Sequence, residues 1–239
     1  MATRLSDRLS EYQLFFREYL RNFRTTGAIL PSSRGLAKAL ARYVGGDRPK
    51  RILEVGPGTG AVTVYIIARM GPEDRLDLVE LNGCFVQRLR ERFDTDPAFV
   101  RVRPRCRIFH QPVEDLPAEP AYDVIISGLP LNNFTPGEVA RILEVMRGLL
   151  LPGGTLSFFE YIGIRLARSW VGRGANRRRL RGVSRVLQDV LGRYEVRRDW
   201  IWPNVPPAWV HHVRFESASP VSSTSPSSAN DLAVERSGE

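Results

Sequence analysis

From residue 51 onward, short runs of hydrophobic residues alternate with longer segments in which hydrophobic positions recur every three or four residues. The short runs predict strands and the periodic segments predict amphipathic helices. The predicted strands are residues 51–55, 76–80, 107–110, 123–127 and 155–160, and the predicted helices between them are residues 61–69, 84–93 and 136–150. Strands that alternate with helices are typical of an α/β protein with a mostly parallel, doubly wound sheet. Such sheets bind ligands at the carboxyl ends of their strands.

The N-terminal residues carry a different apolar pattern. Residues 3–22 place leucine and aromatic side chains at spacings of three and four, which predicts a helix with one apolar stripe. Arginines lie beside the stripe, and a basic amphipathic helix with aromatic residues is typical of a membrane-surface anchor. The alternative is an ordinary helix that packs on its own domain. A further helix is predicted at 36–43, and a last strand at 209–215.

The composition divides the chain into three parts. With 239 residues, of which 43% are hydrophobic and 26% charged, the chain has the composition of one globular domain. Residues 216–239 are rich in Ser, Pro and Ala, and we expect them to be a disordered tail. The predicted organisation is an N-terminal helix at 1–24, one domain at 25–215, and the tail. We find no secretory signal and no membrane-spanning run, which predicts a cytoplasmic protein.

The net charge of +9 is concentrated in two segments. The tail contributes −3, so residues 1–215 carry +12. The excess lies in four arginines between 101 and 107 and in eight arginines between 165 and 185, where no acidic residue occurs. Arginine binds phosphate groups through a planar fork of donors, so these runs indicate an anionic partner. Charge alone leaves nucleic acid, an acidic membrane and a phosphorylated substrate open as partners, and the run at 165–185 could also be a solvated face without a ligand. Codon bias could explain the choice of arginine over lysine but not the clustering.

The most specific motif is a glycine-rich turn directly after the first predicted strand. Residues 54–60 read Glu-Val-Gly-Pro-Gly-Thr-Gly, and Glu80 ends the second predicted strand. Glycines allow a sharp turn and close approach of a ligand, while a carboxylate in the position of Glu80 accepts hydrogen bonds from ribose hydroxyls. The pair predicts a site for a nucleoside cofactor. The loose dinucleotide pattern is also satisfied, so the turn alone does not identify the cofactor.

Two further features favour a different cofactor from NAD. Glu54 precedes the first glycine, where an acid suits the ammonium of an amino-acid moiety. Residues 127–134, Ser-Gly-Leu-Pro-Leu-Asn-Asn-Phe, follow the fourth predicted strand, beside the place where a reactive cofactor group would project. The Glu-x-Gly-x-Gly-x-Gly sequence resembles the first motif of class I methyltransferases that use S-adenosylmethionine.

Other segments of the chain narrow the resemblance to one group of methyltransferases. Residues 26–33, 54–60, 127–134 and 204–208 look like the corresponding segments of bacterial phospholipid N-methyltransferases, over roughly residues 10–214. That family is related to ribosomal RNA adenine dimethylases, which have Asn-Leu-Pro-Tyr where this chain has Gly-Leu-Pro-Leu. The asparagine and the aromatic ring that would bind a flipped base are missing here, which favours a lipid acceptor.

The resemblance implies a Rossmann-like class I methyltransferase fold and a peripheral enzyme that N-methylates phosphatidylethanolamine with S-adenosylmethionine. It also implies contact with anionic phospholipids at the cytoplasmic membrane surface, and on this basis we favour the membrane interpretation of the first helix. Many relatives have Gly-Asp-Ala after the third strand, where this chain reads Gln-Pro-Val-Glu-Asp at 111–115. In those relatives the aspartate contacts the adenine amine. We expect Glu114 or the backbone at Val113 to make this contact here.

Strand positions and the resemblance together give a set of candidate site residues. The cofactor-binding candidates are Ser33, Glu54, Gly56, Pro57, Gly58, Gly60, Glu80, Leu81, Val113, Glu114 and Ser127. The substrate-binding candidates are Tyr19, Arg34, Leu129, Pro130, Leu131, Arg177, Arg178 and Arg179, and the candidates for accepting the amine proton are Asn133 and Tyr161.

Three functions remain open at this level. The first is phosphatidylethanolamine N-methylation, with phosphatidylcholine as the last product. The second is RNA adenine N6-methylation, in which the arginine runs would bind phosphates, and the third is a non-catalytic membrane-binding protein with this fold. We expect no nucleic-acid partner. Cys84 and Cys106 belong to no Cys/His cluster, so we expect no metal site.

Overall fold

The computed structural model describes residues 34–162, 174–202 and 207–215. The predicted first helix and the predicted tail lie outside these residues, as do Tyr19, Ser33, and the greater part of the segment at 204–208. Across the described ranges, none of the helices has the length and hydrophobicity needed to cross a membrane.

A seven-stranded sheet forms the centre of the protein, in the order β3-β2-β1-β4-β5-β7-β6. The first five strands pair in parallel, whereas β7 lies antiparallel between β5 and β6. The strands are β1 Arg51–Val55, β2 Arg75–Val79, β3 Cys106–Phe109, β4 Tyr122–Ser127, β5 Leu150–Tyr161, β6 Glu195–Ile201 and β7 Ala208–Val213. The mostly parallel sheet predicted from the alternating pattern is therefore present, and so is the Rossmann-like arrangement that the resemblance implied.

The helices cover both faces of the sheet. They are α1 Arg34–Leu40, α2 Thr63–Ile67, α3 Gly83–Thr95, α4 Pro97–Val102, α5 Pro136–Leu149 and α6 Gly174–Tyr194. Helices α1 to α4 contribute to the core on one face, while α5 and α6 contribute to the core on the other. Helix α5 begins with a capping box between Thr135 and Glu138, which satisfies amide groups that the first helical turn leaves unpaired.

Three elements were absent from the sequence prediction, namely the short helix α4, the helix α6 and the strand β6 that follows α6. In α6 the apolar residues Leu180, Val183 and Leu187 are buried at helical spacing between arginines. The dense charge hid this stripe, although its spacing of three and four was the correct signal. Strand β6 has mostly exposed or half-buried side chains, so it lacks the apolar run that predicted the other strands.

The antiparallel strand β7 buries two neighbouring histidines for which no role was predicted. His212 contacts the Ser157 hydroxyl at 2.8 Å and the Asp199 carboxylate at 3.2 Å. His211 points to the other face, where its Nδ1 lies 2.6 Å from the Glu195 carboxylate. Burial lowers the pKa of His212 to about 4 and also lowers that of His211, so both rings are neutral at pH 7. They join β7 to its neighbours by hydrogen bonds.

Three of the four arginines in the first run bind groups of the domain itself. Arg107 makes two hydrogen bonds to the buried Asp77 carboxylate, at 2.8 and 2.7 Å, and Arg103 contacts Asp94 at 2.8 Å. Arg105 donates to the backbone oxygens of Gly71 and Asp74. Counted along the sequence this run contributes four positive charges, but in the fold Arg103 and Arg107 each contact a carboxylate. Its acidic partners lie elsewhere in the sequence, so a local count of charges did not find them.

Candidate active site

The glycine-rich turn leaves β1 at the carboxyl edge of the sheet and folds tightly onto β2. The Gly56 amide donates to the Val79 oxygen at 2.9 Å, and the Gly60 amide donates to the Pro57 oxygen at 2.9 Å. Gly56, Gly58 and Gly60 all have positive φ angles, of +70°, +58° and +83°. Other residues rarely adopt this backbone conformation, which explains the spacing of the motif. A Cβ on Gly58 would meet no atom within 4 Å, so this position faces open space.

Glu80 holds the turn from the end of β2. One of its carboxylate oxygens accepts from the Gly58 amide at 3.0 Å, and the other accepts from the Asn82 amide at 2.8 Å. Burial raises the pKa of Glu80, while these backbone hydrogen bonds act in the opposite direction. Each carboxylate oxygen has a second lone pair, so capacity to accept from ribose hydroxyls remains.

Arg92 on α3 supports the same turn and was not predicted. Its guanidinium donates to the backbone oxygens of Thr59 and Gly60, at 3.0 and 3.2 Å, and lies 4.0 Å from the centre of the Phe99 ring. The contact spans 33 residues of sequence. No local pattern indicates it.

Glu54 is completely buried beneath the turn. Its Oε2 atom accepts from the Thr63 hydroxyl at 2.7 Å, while Oε1 has no hydrogen-bond partner among the described residues. Burial raises the pKa of Glu54 to about 8, and the nearby Glu80 adds to this rise. A buried carboxylate oxygen without a partner is costly, and a cationic group beside it would remove that cost. Together with the open space at Gly58, this environment fits a cofactor that carries an ammonium group.

The loop after β4 packs directly against the glycine-rich turn. The Gly128 amide donates to the Val55 oxygen at 2.8 Å. A Cβ on Gly128 would lie 2.5 Å from the Gly56 oxygen, which no ordinary contact permits. Leu129 also packs against the glycine-rich turn. Its Cδ2 atom lies 2.7 Å from the position that a Cβ on Gly56 would occupy. The close approach of the two loops therefore requires glycine at position 128, while Gly56 is required by its positive φ angle.

These loops and the segment after β3 enclose a cleft. Its lining residues are Val55, Gly56, Val79, Glu80, Leu81, Gln111, Pro112, Val113, Glu114, Leu129, Phe134 and Ile142. The cleft brings together Leu81, Val113 and Glu114, which were predicted as cofactor contacts, with the predicted substrate residue Leu129. Phe134 and Ile142 were not predicted, although their apolar character suits the face of an adenine ring.

The two candidates for accepting a proton lie at the ends of neighbouring strands. Asn133 is half-buried in the loop after β4, and its amide donates to the Pro130 oxygen at 2.9 Å. Tyr161 ends β5, where it is half-buried and packs edge-on against Phe159 with 5.0 Å between ring centres. Burial raises the pKa of the Tyr161 hydroxyl, so it is protonated at pH 7. Ser127 is buried at the end of β4 and accepts from the Leu129 amide at 3.3 Å.

Helix α6 begins beside the same loop. Arg179 donates from one nitrogen to the backbone oxygens of Asn132 and Phe134, at 2.9 and 2.8 Å. This guanidinium therefore fixes the loop after β4, a role that the sequence prediction of phosphate binding did not include. Arg177 and Arg178 are exposed in the first turn of α6, and Arg34 is exposed at the start of α1. Arg165, Arg168 and Arg173, which belong to the same arginine run, lie outside the described residues.

Comparison with known proteins agrees with this geometry. Residues 52–154 match the family described as a methyltransferase domain. The chain is 29% identical over 150 residues to the ornithine lipid N-methyltransferase of Singulisphaera acidiphila, a match that covers 62% of this chain and 77% of that protein. It is 40% identical over 60 residues to ribosomal RNA small subunit methyltransferase A of Burkholderia ambifaria, which covers 25% of this chain and 22% of that protein.

A solved structure extends the comparison to the fold. The 1,6-didemethyltoxoflavin-N1-methyltransferase of Burkholderia thailandensis, solved with S-adenosylhomocysteine, superposes with a TM-score of 0.57 at 16% identity. The match covers 87% of this chain and 90% of that one. The comparisons confirm the predicted methyltransferase fold and S-adenosylmethionine as the cofactor.

The contact between the two loops predicts the effect of a single methyl group. Gly128→Ala should weaken binding of S-adenosylmethionine at least about tenfold and destabilise the protein by about 1–3 kcal/mol, because the added Cβ overlaps the Gly56 oxygen. Isothermal titration and thermal unfolding measure the two effects. Gly148→Ala is the matched control, since a Cβ at Gly148 meets nothing within 4 Å. Equal cofactor affinity in both variants would show that the loops do not depend on this contact.

Proposed function

Since residues 52–154 form a methyltransferase domain of the class I, S-adenosylmethionine-dependent kind, we propose that the protein N-methylates the amine of a membrane lipid head group. Phosphatidylethanolamine is the leading acceptor. The observation that carries the proposal is the loop after β4, which presents Leu129 to the cofactor cleft and places Asn133 on the same edge.

The chemistry of this loop distinguishes lipids from nucleic-acid bases. An enzyme that acts on a base needs polar groups for the base edge and an aromatic platform for its face. Positions 128–131 are instead Gly-Leu-Pro-Leu, and Leu131 is buried in the core. An apolar entrance beside the half-buried Asn133 amide suits an acceptor that has acyl chains and a small amine.

The relative from Singulisphaera acidiphila supports a second acceptor. That protein is named an ornithine lipid N-methyltransferase, and ornithine, like ethanolamine, carries a primary amine. An ornithine lipid has no phosphate, however. Phosphatidylethanolamine remains the first candidate because exposed Arg177 and Arg178 at the start of α6 suit a phosphate group.

The residues of the cleft have distinct proposed roles toward the cofactor. Glu54 faces the ammonium group, Glu80 accepts from the ribose, and Leu81 and Val113 contact the adenine. When bound, S-adenosylmethionine supplies an electrophilic methyl group and a good leaving group. The protein contributes mainly by alignment of the acceptor nitrogen, because displacement at a methyl carbon needs little covalent assistance.

Loss of a proton from the acceptor is the harder step. A primary ammonium has a pKa close to that of lysine, so on the order of one molecule in a thousand is neutral at pH 7. The apolar entrance around Leu129 disfavours the charged form. The Asn133 side-chain oxygen accepts a hydrogen bond from the amine and orients its lone pair. The ammonium proton passes to the Tyr161 oxygen while the Tyr161 hydroxyl gives its own proton to water, so the tyrosine stays neutral.

Transfer of labelled methyl groups tests the proposal directly. The full-length protein is incubated with methyl-labelled S-adenosylmethionine and with phosphatidylethanolamine vesicles, ornithine lipid vesicles or total RNA, each with phosphatidylglycerol present. Label in the phosphatidylethanolamine fraction is expected. Label in ornithine lipid alone would change the acceptor but keep the reaction class, and label in RNA alone would overturn the lipid proposal. Bound cofactor with no label in any fraction would favour a non-catalytic protein.

The raised pKa of Glu54 predicts that cofactor binding releases a proton. The carboxyl is mostly protonated below its pKa of about 8, and the ammonium group favours the ionised form. Affinity should therefore fall up to about tenfold for each pH unit below 8. Titration calorimetry at pH 7 in buffers of different ionisation enthalpy should detect nearly one proton released.

The same measurement on two variants isolates the carboxyl. Glu54→Gln should bind more weakly and release no proton. Glu91→Gln makes the same chemical change on the exposed surface of α3 and should behave as the native protein does. Proton release that persists in Glu54→Gln would assign it to another group.

Asn133→Ala tests the proposed role of the loop after β4, here called the acceptor loop, in orienting the amine. Loss of the amide should lower kcat about 100-fold, because the amine is no longer oriented, while the affinity for S-adenosylmethionine stays within about twofold. Steady-state kinetics with phosphatidylethanolamine and calorimetry with the cofactor give the two values. Native turnover by this variant would exclude Asn133 from the mechanism.

A further inference from the structure

Two tryptophans are exposed at the end of strand β6. Trp200 is 66% exposed and Trp202 is 71% exposed, and their rings contact edge-to-face with 6.2 Å between centres. The neighbouring Ile201 is buried, so the strand is anchored in the core between them. Exposed pairs of the largest apolar side chain are uncommon on soluble surfaces and indicate an interaction site.

The sheet topology places this pair on the functional edge. Strands β5 and β6 both lie antiparallel to β7, so β5 and β6 run in the same direction. The end of β6 therefore lies at the edge where β1, β4 and β5 also end. That edge carries the cofactor cleft and the acceptor loop.

Exposed arginines lie at the same edge. Arg179 bonds to the loop after β4, which fixes the first turn of α6 at this end of the sheet. Arg177 and Arg178 are in the same turn and exposed. The edge thus combines indole rings with guanidinium groups. Indole prefers the interface between water and lipid, and arginine is attracted to anionic head groups by about 1 kcal/mol per charge near the surface.

We propose that Trp200 and Trp202 insert into the head-group layer of an anionic phospholipid bilayer while Arg177 and Arg178 contact its phosphates. In this orientation the carboxyl edge of the sheet faces the membrane, so an acceptor amine reaches the cleft without leaving the bilayer surface. The inference rests on the proposed function for the identity of the acceptor. It adds an attachment point within the domain that is separate from the predicted N-terminal helix.

Binding of the full-length protein to phosphatidylcholine vesicles with and without phosphatidylglycerol tests the inference. Trp200→Ser together with Trp202→Ser should lower the association constant for anionic vesicles at least about tenfold. In the native protein, brominated lipids should quench tryptophan fluorescence, and most of this quenching should disappear in the double variant. The far-ultraviolet circular dichroism and unfolding temperature of each variant verify that it is folded.

Val196→Ser is the matched control. Val196 is 50% exposed near the opposite end of the same strand, so its loss removes exposed apolar surface without touching the proposed contact. Vesicle binding by this variant should equal that of the native protein. A decrease as large as that caused by the tryptophan changes would overturn the orientation.

The arginines have a different expected signature. Arg177→Gln with Arg178→Gln should weaken binding to anionic vesicles and reduce its salt dependence, whereas the tryptophan variant should keep the native salt dependence. Undiminished binding and quenching in the tryptophan variant would refute the inference. So would a dimer of the native protein that dissociates in this variant, because the pair would then be an interface between copies. These measurements need no turnover, so they remain decisive if the proposed reaction fails.

Discussion

The close approach of two backbone turns determines the site. At the carboxyl edge, the turn after β1 and the loop after β4 meet with Gly128 against the Gly56 oxygen. This contact fixes the position of the cofactor turn relative to the acceptor loop. The buried Glu80 and the Arg92 guanidinium then hold the turn from the other side. A shift in any of these contacts would move the cofactor relative to its acceptor.

Helix α6 extends this arrangement to the surface. Arg179 ties its first turn to the acceptor loop, while Arg177 and Arg178 remain exposed on the same turn. A single arginine cluster thus contains both a structural residue and surface charge. Neutralising Arg179 would combine a structural effect with an electrostatic one, whereas changes at the exposed Arg177 and Arg178 leave the bonds from Arg179 to the loop in place. Because α6 is bonded to this loop, the proposed membrane surface lies next to the place where the amine is proposed to be oriented.

The sequence predicted the parts of the fold that depend on local patterns. The alternation of apolar runs and helical segments predicted β1 to β5, and the spacing of Gly56, Gly58 and Gly60 predicted the turn. What it missed depends on contacts between distant segments: the support from Arg92, the partners of Arg107, and the burial of His212. Strand β6 lacked an apolar run because it lies at the edge of the sheet.

The position of Leu129 has a consequence for how acceptor range can change. Its side chain packs on the cofactor turn at Gly56 and also lines the cleft. A change of residue at this position therefore acts on the acceptor entrance and on the cofactor turn at the same time. Arg179 holds the following segment through the backbone oxygens of Asn132 and Phe134, and these two bonds do not depend on the side chains of that segment. The half-buried Asn133 side chain can therefore be exchanged while the frame that carries it stays intact, whereas Leu131 is part of the core.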